Sequence, residues 1–397
     1  MTNKIRTLLF STLYPSSVRP VHGIFVETRL RELLKSGQVE TQVVAPVPWF
    51  PLKHRLFGGY ARMAATPHFE ERNGIRVHHP RYILPPKVGQ NIAPSVLAAG
   101  ALPTIRKLIR EGFDFDLIDA HFYYPDGVAA SIIAEKLNKP FVCTARGSDI
   151  TLYRQHPTPN RKLRKAFAKA AANIGVCNDL VKQMIDLGAD PKHALAIRNG
   201  VDLQRFFPVY RSEARAKIGI AQDGLLLLSV GHLVELKGHH LVIRLLAKWP
   251  NARLAIVGAG PMLGKLKAEV ASLGLVDRVV FAGQQPNETL VNWFSAADVL
   301  VLASSREGWA NVLLESMACG TPVVATTVNG TPEVVASPEA GRLAASRDVE
   351  SLGRALQSLL ADYPDRAAVR RYAENYSWDE TTRLQIKLFT EIIGKGH

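Results

Sequence analysis

An α/β fold built twice in tandem, as two Rossmann-like domains, is what the sequence predicts, and three observations carry it. Strand-like apolar runs alternate with helical stretches through the first half of the 397-residue chain. The alternation stops at Arg198-Asn199-Gly200-Val201-Asp202, where Asn-Gly and the nearby Pro208 punctuate a turn, and it resumes at Leu225. Several of the apolar runs end in short loops bearing glycine, histidine or lysine, at the strand ends where open parallel sheets bind ligands.

Taken in order, strands are expected near Ile5 to Phe10, Thr41 to Ala45, Leu117 to Ala120, Phe141 to Ala145, Ile174 to Cys177 and Ala194 to Ile197. Helices are expected at Phe25 to Lys35, Asp126 to Lys136 and Arg161 to Ala172, and the Pro-, Gly- and aromatic-rich stretch from Pro46 to Pro86 is read as long loops. The second series has strands at Leu225 to Val230, Arg253 to Val257, Val279 to Ala282, Val299 to Ala303 (with Ala297 and Asp298 leading in) and Val323 to Ala325. Ser304 to Asn311 follows as a loop and Val312 to Cys319 as a helix. From Ser377, an S-x-x-E capping box with Glu380 opens a last helix whose Leu384, Leu388, Phe389 and Ile392 share one face. The domains expected are residues 1–202 and 203–376, with 377–397 as a C-terminal helix that needs a groove for its apolar stripe.

Composition narrows the class. An apolar fraction of 47% and a charged fraction of 21% are ordinary for a globular chain with sizeable cores. Cys143, Cys177 and Cys319 have no C-x-x-C spacing, which argues against a disulfide framework or a zinc site and fits a reducing compartment. Lys4 to Leu13 superficially resembles a secretory signal, but Tyr14-Pro15-Ser16-Ser17 ends it as a turn, so a first strand is the better reading. The uncharged run between Lys87 and Arg106 is broken by Pro94 and Pro103 and is judged too short and interrupted for a transmembrane helix. Residues 1–205 carry 29 Lys and Arg against 16 Asp and Glu, whereas residues 206–397 carry 20 against 19, so the basic excess belongs to the first half. Such a face suits an anionic membrane surface or glycan, or is simply solvated; with no recognition helix or stacking motif beside it, nucleic acid is not expected. The basic amphipathic stretch Arg161 to Lys169 carries the same two readings.

The most informative segment is Glu307-Gly308-Trp309-Ala310-Asn311-Val312-Leu313-Leu314-Glu315, with seven residues between the two acids. On one helix they would lie about 80° apart in azimuth and two turns apart in height, and would not converge. With a strand before Ser304 and a helix from Val312, Glu307 instead sits at a strand's carboxyl end and Glu315 on the following helix. The intervening N–H groups then open a helix that favours anions, and the expected ligand carries phosphate and hydroxyls.

This segment resembles the E-x7-E motif of the retaining glycosyltransferases of family 4, which have the two-domain GT-B fold. The resemblance implies that Glu307 contacts a donor sugar and Glu315 holds the ribose hydroxyls of its nucleotide. Gly231-His232-Leu233-Val234-Glu235-Leu236-Lys237-Gly238 places a cation at a strand end, where Lys237 can neutralise a diphosphate. It is similar to the family's G-R-L-x-x-x-K-G, with His232 where Arg is usual; a neutral imidazole lacks the guanidinium fork. The N-G-V-D…F…P phrase after Arg198 also matches the family's domain junction, and the family's last helix crosses back to the N-terminal domain. Val257-Gly258-Ala259-Gly260-Pro261 lacks the third glycine of a dinucleotide fingerprint, since position 263 is Leu263, and is read as fold geometry.

In the first half, Gly23 in His22-Gly23-Ile24-Phe25-Val26 precedes a helix and allows close approach to a phosphate, or is a plain turn. His121, at the end of a buried strand in Asp119-Ala120-His121-Phe122-Tyr123-Tyr124-Pro125-Asp126-Gly127, resembles the family histidine beside the donor sugar; a buried structural histidine is the alternative. In Thr144-Ala145-Arg146-Gly147-Ser148-Asp149 the family often has His-Gly-x-Asp, so Arg146 is a departure that either meets an acceptor phosphate or pairs with Asp149. Asp114-Phe115-Asp116 mimics a D-x-D metal motif but lies at the wrong sheet edge, and no metal or cofactor is expected.

The resemblance therefore implies a retaining, metal-independent hexosyltransferase of GT-B architecture. It would take a UDP- or GDP-sugar on the second domain and a glycan or lipid-linked acceptor on the basic first domain, in cell-surface polysaccharide synthesis. The expected location is cytoplasmic, peripheral to the inner membrane face. Catalytic candidates are His121, Glu307 and Lys237. Donor candidates are Gly23, His232, Lys237, Glu307, Gly308, Trp309, Ala310, Asn311, Val312, Leu313 and Glu315, and Arg146, Asp149 and Asp126 stand on the acceptor side. A UDP-sugar 2-epimerase on the same fold and a non-catalytic sugar-nucleotide or glycan-binding subunit are the alternatives.

Overall fold

A computed structural model describes residues 4–49, 63–84 and 89–394. They divide into two compact units, Met1–Arg198 with Thr381–His397, and Asn199–Glu380. The first unit is an eight-stranded sheet in the order β10-β9-β8-β7-β1-β2-β5-β4. In chain order its strands are β1 (Ile5–Phe10), β2 (Val39–Val44), β4 (Phe69–Arg72), β5 (Ile75–His78), β7 (Leu117–His121), β8 (Phe141–Ala145), β9 (Ala172–Gly175) and β10 (Ala194–Ala196). Two short strands, β3 (Val47–Pro48) and β6 (Arg81–Tyr82), pair separately. Strands β7 and β8 are buried along their whole length, and β1 from Thr7 to Phe10, because helices cover both faces of a parallel sheet.

Helices α1 (Ile24–Lys35), α2 (Gly89–Arg110), α3 (Val128–Leu137), α4 (Ser148–Thr151), α5 (Pro157–Lys169) and α6 (Asn178–Asp186) belong to this unit. The second unit has six parallel strands in the order β13-β12-β11-β14-β15-β16. They are β11 (Leu225–Val230), β12 (Ala252–Val257), β13 (Val279–Gly283), β14 (Val299–Leu302), β15 (Val323–Thr326) and β16 (Gly341–Ala344). Its helices are α7 (Arg211–Ile218), α8 (His239–Ala247), α9 (Leu263–Ser272), α10 (Asn287–Ala296), α11 (Asn311–Ala318), α12 (Thr331–Val334), α13 (Val349–Ala361) and α14 (Arg366–Glu374). This is the α/β, GT-B-type architecture expected, with a sheet in the first unit that is parallel except for its antiparallel edge strand β4, and an all-parallel sheet in the second.

The last helix, α15 (Trp378–Gly394), returns to the first unit. Phe389 is fully buried in a cluster with Leu33, Val39, Leu117, Val142 and Ile174, and Leu384, Leu388 and Ile392 pack against that cluster. The stripe visible in the sequence thus closes one face of the β1–β7–β8–β9 region.

Two stretches differ from the sequence reading. The region from Pro46 to Pro86 contains the β4–β5 hairpin, turned by Asn73 (φ 49) and Gly74 (φ 75), the positive-φ pair a two-residue type I′ turn requires. Residues 50–62 of that region lie outside the described residues. The run judged too short and interrupted for a transmembrane helix lies in the 22-residue α2, for which no helix was expected, with Pro94 and Pro103 inside it. Pro94 has no N–H to give the carbonyl of Gln90, and the Tyr124 hydroxyl donates to that oxygen instead at 2.6 Å. By length and composition α2 is a helix that could cross a membrane. Its Leu97, Ala98, Ala101, Ile105 and Leu108 are buried within the first unit. Helix α5 likewise turns Leu163, Ala166 and Phe167 inward and leaves Arg161, Arg164 and Lys165 exposed, so its apolar side is spent on the core.

Because Phe389 is wholly enclosed, Phe389→Ala is expected to cost about 3–5 kcal/mol of stability, seen as an earlier unfolding transition in urea. A loss under about 1 kcal/mol would mean that α15 does not seal this core.

Candidate active site

In the second unit, β11 and β14 are neighbours, and the chain order reverses between them. Their carboxyl-end loops therefore emerge side by side at a topological switch point, where open α/β sheets place ligands. Gly238 (φ 69) allows the first loop to press on the second, since a Cβ there would lie 2.1 Å from the Ala303 carbonyl oxygen. Ser305 N–H donates to Leu236 O at 2.9 Å, and Arg347 donates at 2.9 Å to both Ala303 O and Glu235 O. These bonds bring Lys237 Nζ to 2.6 Å from Glu307 Oε1, with the side chains 24% and 10% exposed. The sequence placed both at strand ends but gave no reason to expect an ion pair between them.

Helix α11 begins at Asn311 with no side-chain cap on its first turn. Ala310 and Leu313 are buried, Trp309 lies with its ring 6.0 Å from that of Tyr376, and Gly308, Asn311 and Val312 are partly exposed. Trp309, Ala310 and Leu313 thus shape the loop from within, and polar contact falls to backbone groups. Asn311 Oδ1 accepts from Asn199 Nδ2 at 3.2 Å, so the asparagine of the Asn-Gly junction braces this helix start. Glu315 is partly exposed, and burial of its carboxyl pushes its pKa up to about 7 against the pull of Arg205. His232 is exposed beside these loops. The Gly258-Ala259-Gly260 turn is explained by packing, because Cβ atoms at 258 and 260 would strike Gly231 O and Leu233 O at 1.9 and 2.5 Å.

The first unit has its own switch point between β1 and β7. Gly23 caps α1 at φ 71, and a Cβ there would meet the Leu13 carbonyl at 2.3 Å, so close packing already demands glycine. Asp126 is fully buried and accepts from Thr12 N at 2.6 Å, Thr12 Oγ1 at 3.0 Å and Ser11 Oγ at 3.1 Å. Asp149, also fully buried, accepts from the backbone N–H groups of Tyr123 (2.7 Å), Gly147 (2.7 Å) and Arg146 (3.0 Å). Burial raises both carboxyls, Asp126 to about 7, against these hydrogen bonds. Each of these two acids, expected on the acceptor side, is engaged in tying loops together, as a buried carboxylate must be.

His121 is 1% exposed. Its Nδ1 lies 2.8 Å from Arg146 Nη2 and its Nε2 3.5 Å from Asp119 Oδ2, while Ser11 Oγ donates to its carbonyl. Burial drives its pKa down to about 4 despite the pull of Asp119, and Arg146 adds to the fall, so the ring is neutral at neutral pH. Arg146 is partly exposed and lies over the Phe25 ring at 5.3 Å. Its pKa is lowered by burial first and then by Arg29, and it remains a cation. The sequence reading passed over Asp119, which faces His121 Nε2, and Gln385, which links Asp119 to Arg29. Asp119 alone left a trace, since residues two apart on a strand share a face.

Asp114 pairs with Lys139 and Asp116 accepts from Arg6 N–H, both at the amino-terminal edge of β7. Among the described residues, no cluster of three or more His, Cys, Asp or Glu is placed to hold a metal ion.

Two family profiles match, "Glycosyltransferase Family 4" over residues 23–205 and "Glycosyl transferases group 1" over residues 210–376. TuaC of Bacillus subtilis, assigned to teichuronic acid biosynthesis as a glycosyltransferase, is 30% identical over 331 residues, covering 82% of each chain. The chain belongs to glycosyltransferase family 4. A D-inositol 3-phosphate glycosyltransferase of Acidothermus cellulolyticus is 33% identical over 314 residues, 72% of this family 4 chain and 69% of that one. The fold is shared with the sucrose-phosphate synthase of Thermosynechococcus elongatus, at a TM-score of 0.77 and 20% identity over 99% of this chain and all of that one. It is shared too with Anabaena HepE, solved in complex with UDP, at 0.71 and 20% over 98% of this chain and all of that one.

The Lys237–Glu307 pair makes a stability prediction. Lys237→Met and Glu307→Gln should show a coupling of about 1 kcal/mol in a double-mutant cycle read by urea unfolding, discounted for partial exposure. Coupling indistinguishable from zero would mean the pair is not made in solution.

Proposed function

We propose that this glycosyltransferase moves a hexosyl group, with retention and without a metal, from a UDP- or GDP-sugar bound on the second unit. The acceptor is a glycan or lipid-linked sugar met by the first unit, in cell-surface polysaccharide synthesis. The Lys237–Glu307 pair at the β11/β14 switch point carries the reading. An ammonium and a carboxylate held together there exchange partners when a donor enters, Lys237 turning to the diphosphate and Glu307 to the sugar hydroxyls. The uncapped start of α11 adds N–H donors for the departing diphosphate, and Glu315 accepts from the ribose hydroxyls. Lys237 and the start of α11 supply the positive charge that a metal would otherwise bring.

Relatives support the substrate class. TuaC takes its name from teichuronic acid biosynthesis, an inositol phosphate is named in another relative, and HepE has been solved with UDP-glucose. On the first unit, the exposed Arg161, Arg164 and Lys165 of α5 suit a peripheral, electrostatic association with an anionic cytoplasmic membrane face.

Glu307→Ala is expected to lower transfer and slow donor hydrolysis by about 100-fold or more in the presence of EDTA. Unchanged rates in both would remove Glu307 from the site, and loss of the wild-type rate in EDTA would overturn metal independence. A pH test bears on Glu315. The free protein holds this proton up to about pH 7, and ribose hydroxyls favour the carboxylate, so binding couples to deprotonation. Affinity for UDP or GDP, measured by calorimetry, should rise up to about tenfold per pH unit below that value and level off above it. Glu315→Gln should be flat, and an equal slope in that variant would separate Glu315 from the ribose.

A further inference from the structure

Gln385 is a polar residue in the apolar stripe of α15, and it is 1% exposed. A leucine there would extend the seal that Leu384, Leu388 and Phe389 already make. The amide is instead fixed at both ends. Arg29 Nε donates to Gln385 Oε1 at 3.1 Å, and Gln385 Nε2 donates to Asp119 Oδ2 at 3.0 Å. Arginine only donates and an ionised carboxylate only accepts, so the amide orientation is unambiguous. Arg29 is itself held by the carbonyl of Ile197 at 3.0 Å. The same Asp119 oxygen faces His121 Nε2 at 3.5 Å, and His121 Nδ1 faces Arg146 Nη2 at 2.8 Å.

Arg146 has no lone pair to offer, so the 2.8 Å contact obliges His121 Nδ1 to accept. The single proton of a neutral ring then resides on Nε2, towards Asp119. Among the described residues, the charged groups facing the ring are Asp119 from β7, Arg146 from the end of β8 and Arg29 from α1.

We propose that Gln385 and Asp119 are positioning residues for Arg146: they hold His121 as the Nε2–H tautomer, so that its Nδ1 lone pair keeps the guanidinium in place at the end of β8. This rests on the reading of Arg146 as an acceptor-side cation. It also gives His121 a role suited to its burial, as the link between a docked helix and a partly exposed arginine. A buried glutamine costs desolvation that docking alone does not call for, and two charge-assisted hydrogen bonds offset it only in this arrangement.

The test needs no substrate. In full-length protein with 15N-labelled imidazoles, His121 is assigned by its loss in His121→Asn and followed between about pH 5 and 8. The wild type should show the Nε2–H tautomer throughout. Gln385→Met keeps the volume but frees Asp119 to turn, and the Nδ1–H population should rise on the order of tenfold. Gln385→Glu still accepts from Arg29 but donates to Asp119 only when the introduced carboxyl is protonated, so the wild-type tautomer should return as pH falls. Thermal unfolding confirms that each variant is folded, and Asp119→Asn serves in place of Gln385→Met if that protein does not fold. A wild-type ring in the Nδ1–H or imidazolium form, or a wild-type tautomer in folded Gln385→Met, overturns the relay. A tautomer that responds as expected while sugar transfer in Gln385→Met stays at the wild-type rate keeps the relay and removes Arg146 from acceptor binding.

Discussion

Parallel pairing is the constraint on which the rest depends. When every strand of a sheet runs the same way, all carboxyl ends lie along one edge, and each connection must return through a helix. The reversal of strand order between β11 and β14, and again between β1 and β7, leaves adjacent strand ends whose following chains diverge. Lys237 and Glu307, 70 residues apart in sequence, meet at the first of these points. Around the second gather His121 at the end of β7, the Gly23 loop after β1 and, one strand further, Arg146. Strand topology, rather than their own contacts, sets which of these residues lie side by side.

The charged residues fall into two kinds. Arg215 is 1% exposed and donates to Asp298 and to the carbonyls of Ala296, Gln222 and Gly224, and Arg366 donates to the carbonyls of Ala297 and Ser295. These guanidiniums close helix ends and loops that would otherwise leave buried carbonyls without donors. Asp126 and Asp149 do the converse for N–H and hydroxyl groups of the first unit. Lys237, Glu307, Glu315 and Arg146 keep part of their surface open at strand or helix starts. Partial exposure separates groups that can exchange partners with a ligand from groups that cannot.

Legibility in the sequence followed the strength of local pattern. The strands at Ile5 to Phe10, Phe141 to Ala145 and Leu225 to Val230 are mostly apolar runs, interrupted only by Arg6, Thr7, Thr144 and Ser229, and each has the bounds expected. The β4–β5 hairpin was missed because Phe69-Glu70-Glu71-Arg72 is an edge strand, mostly solvated and too charged to stand out, although Asn73-Gly74 is a strong turn signal. Helix α2 was missed because its two prolines oppose a helix on local grounds. The Tyr124 hydroxyl, which relieves one of them, comes from another element. The side chains of Trp309 and Leu313 are buried, which motif spacing does not reveal, because it does not say which side of a loop faces the core.

By itself the sequence determined the two-domain α/β class, most strands of both sheets, the apolar stripe of the last helix and the strand-end placement of His121, Lys237 and Glu307. These follow from the period of apolar residues and from turn chemistry, which are local properties of the chain. Only the tertiary structure decided which strand ends are neighbours and which charges meet. It alone set Lys237 against Glu307, and Asp126 and Asp149 against backbone donors. Gln385 of the last helix likewise joins Asp119 266 residues away in sequence. Such partners are chosen by burial, because a polar group removed from water must find another wherever the fold brings one within reach.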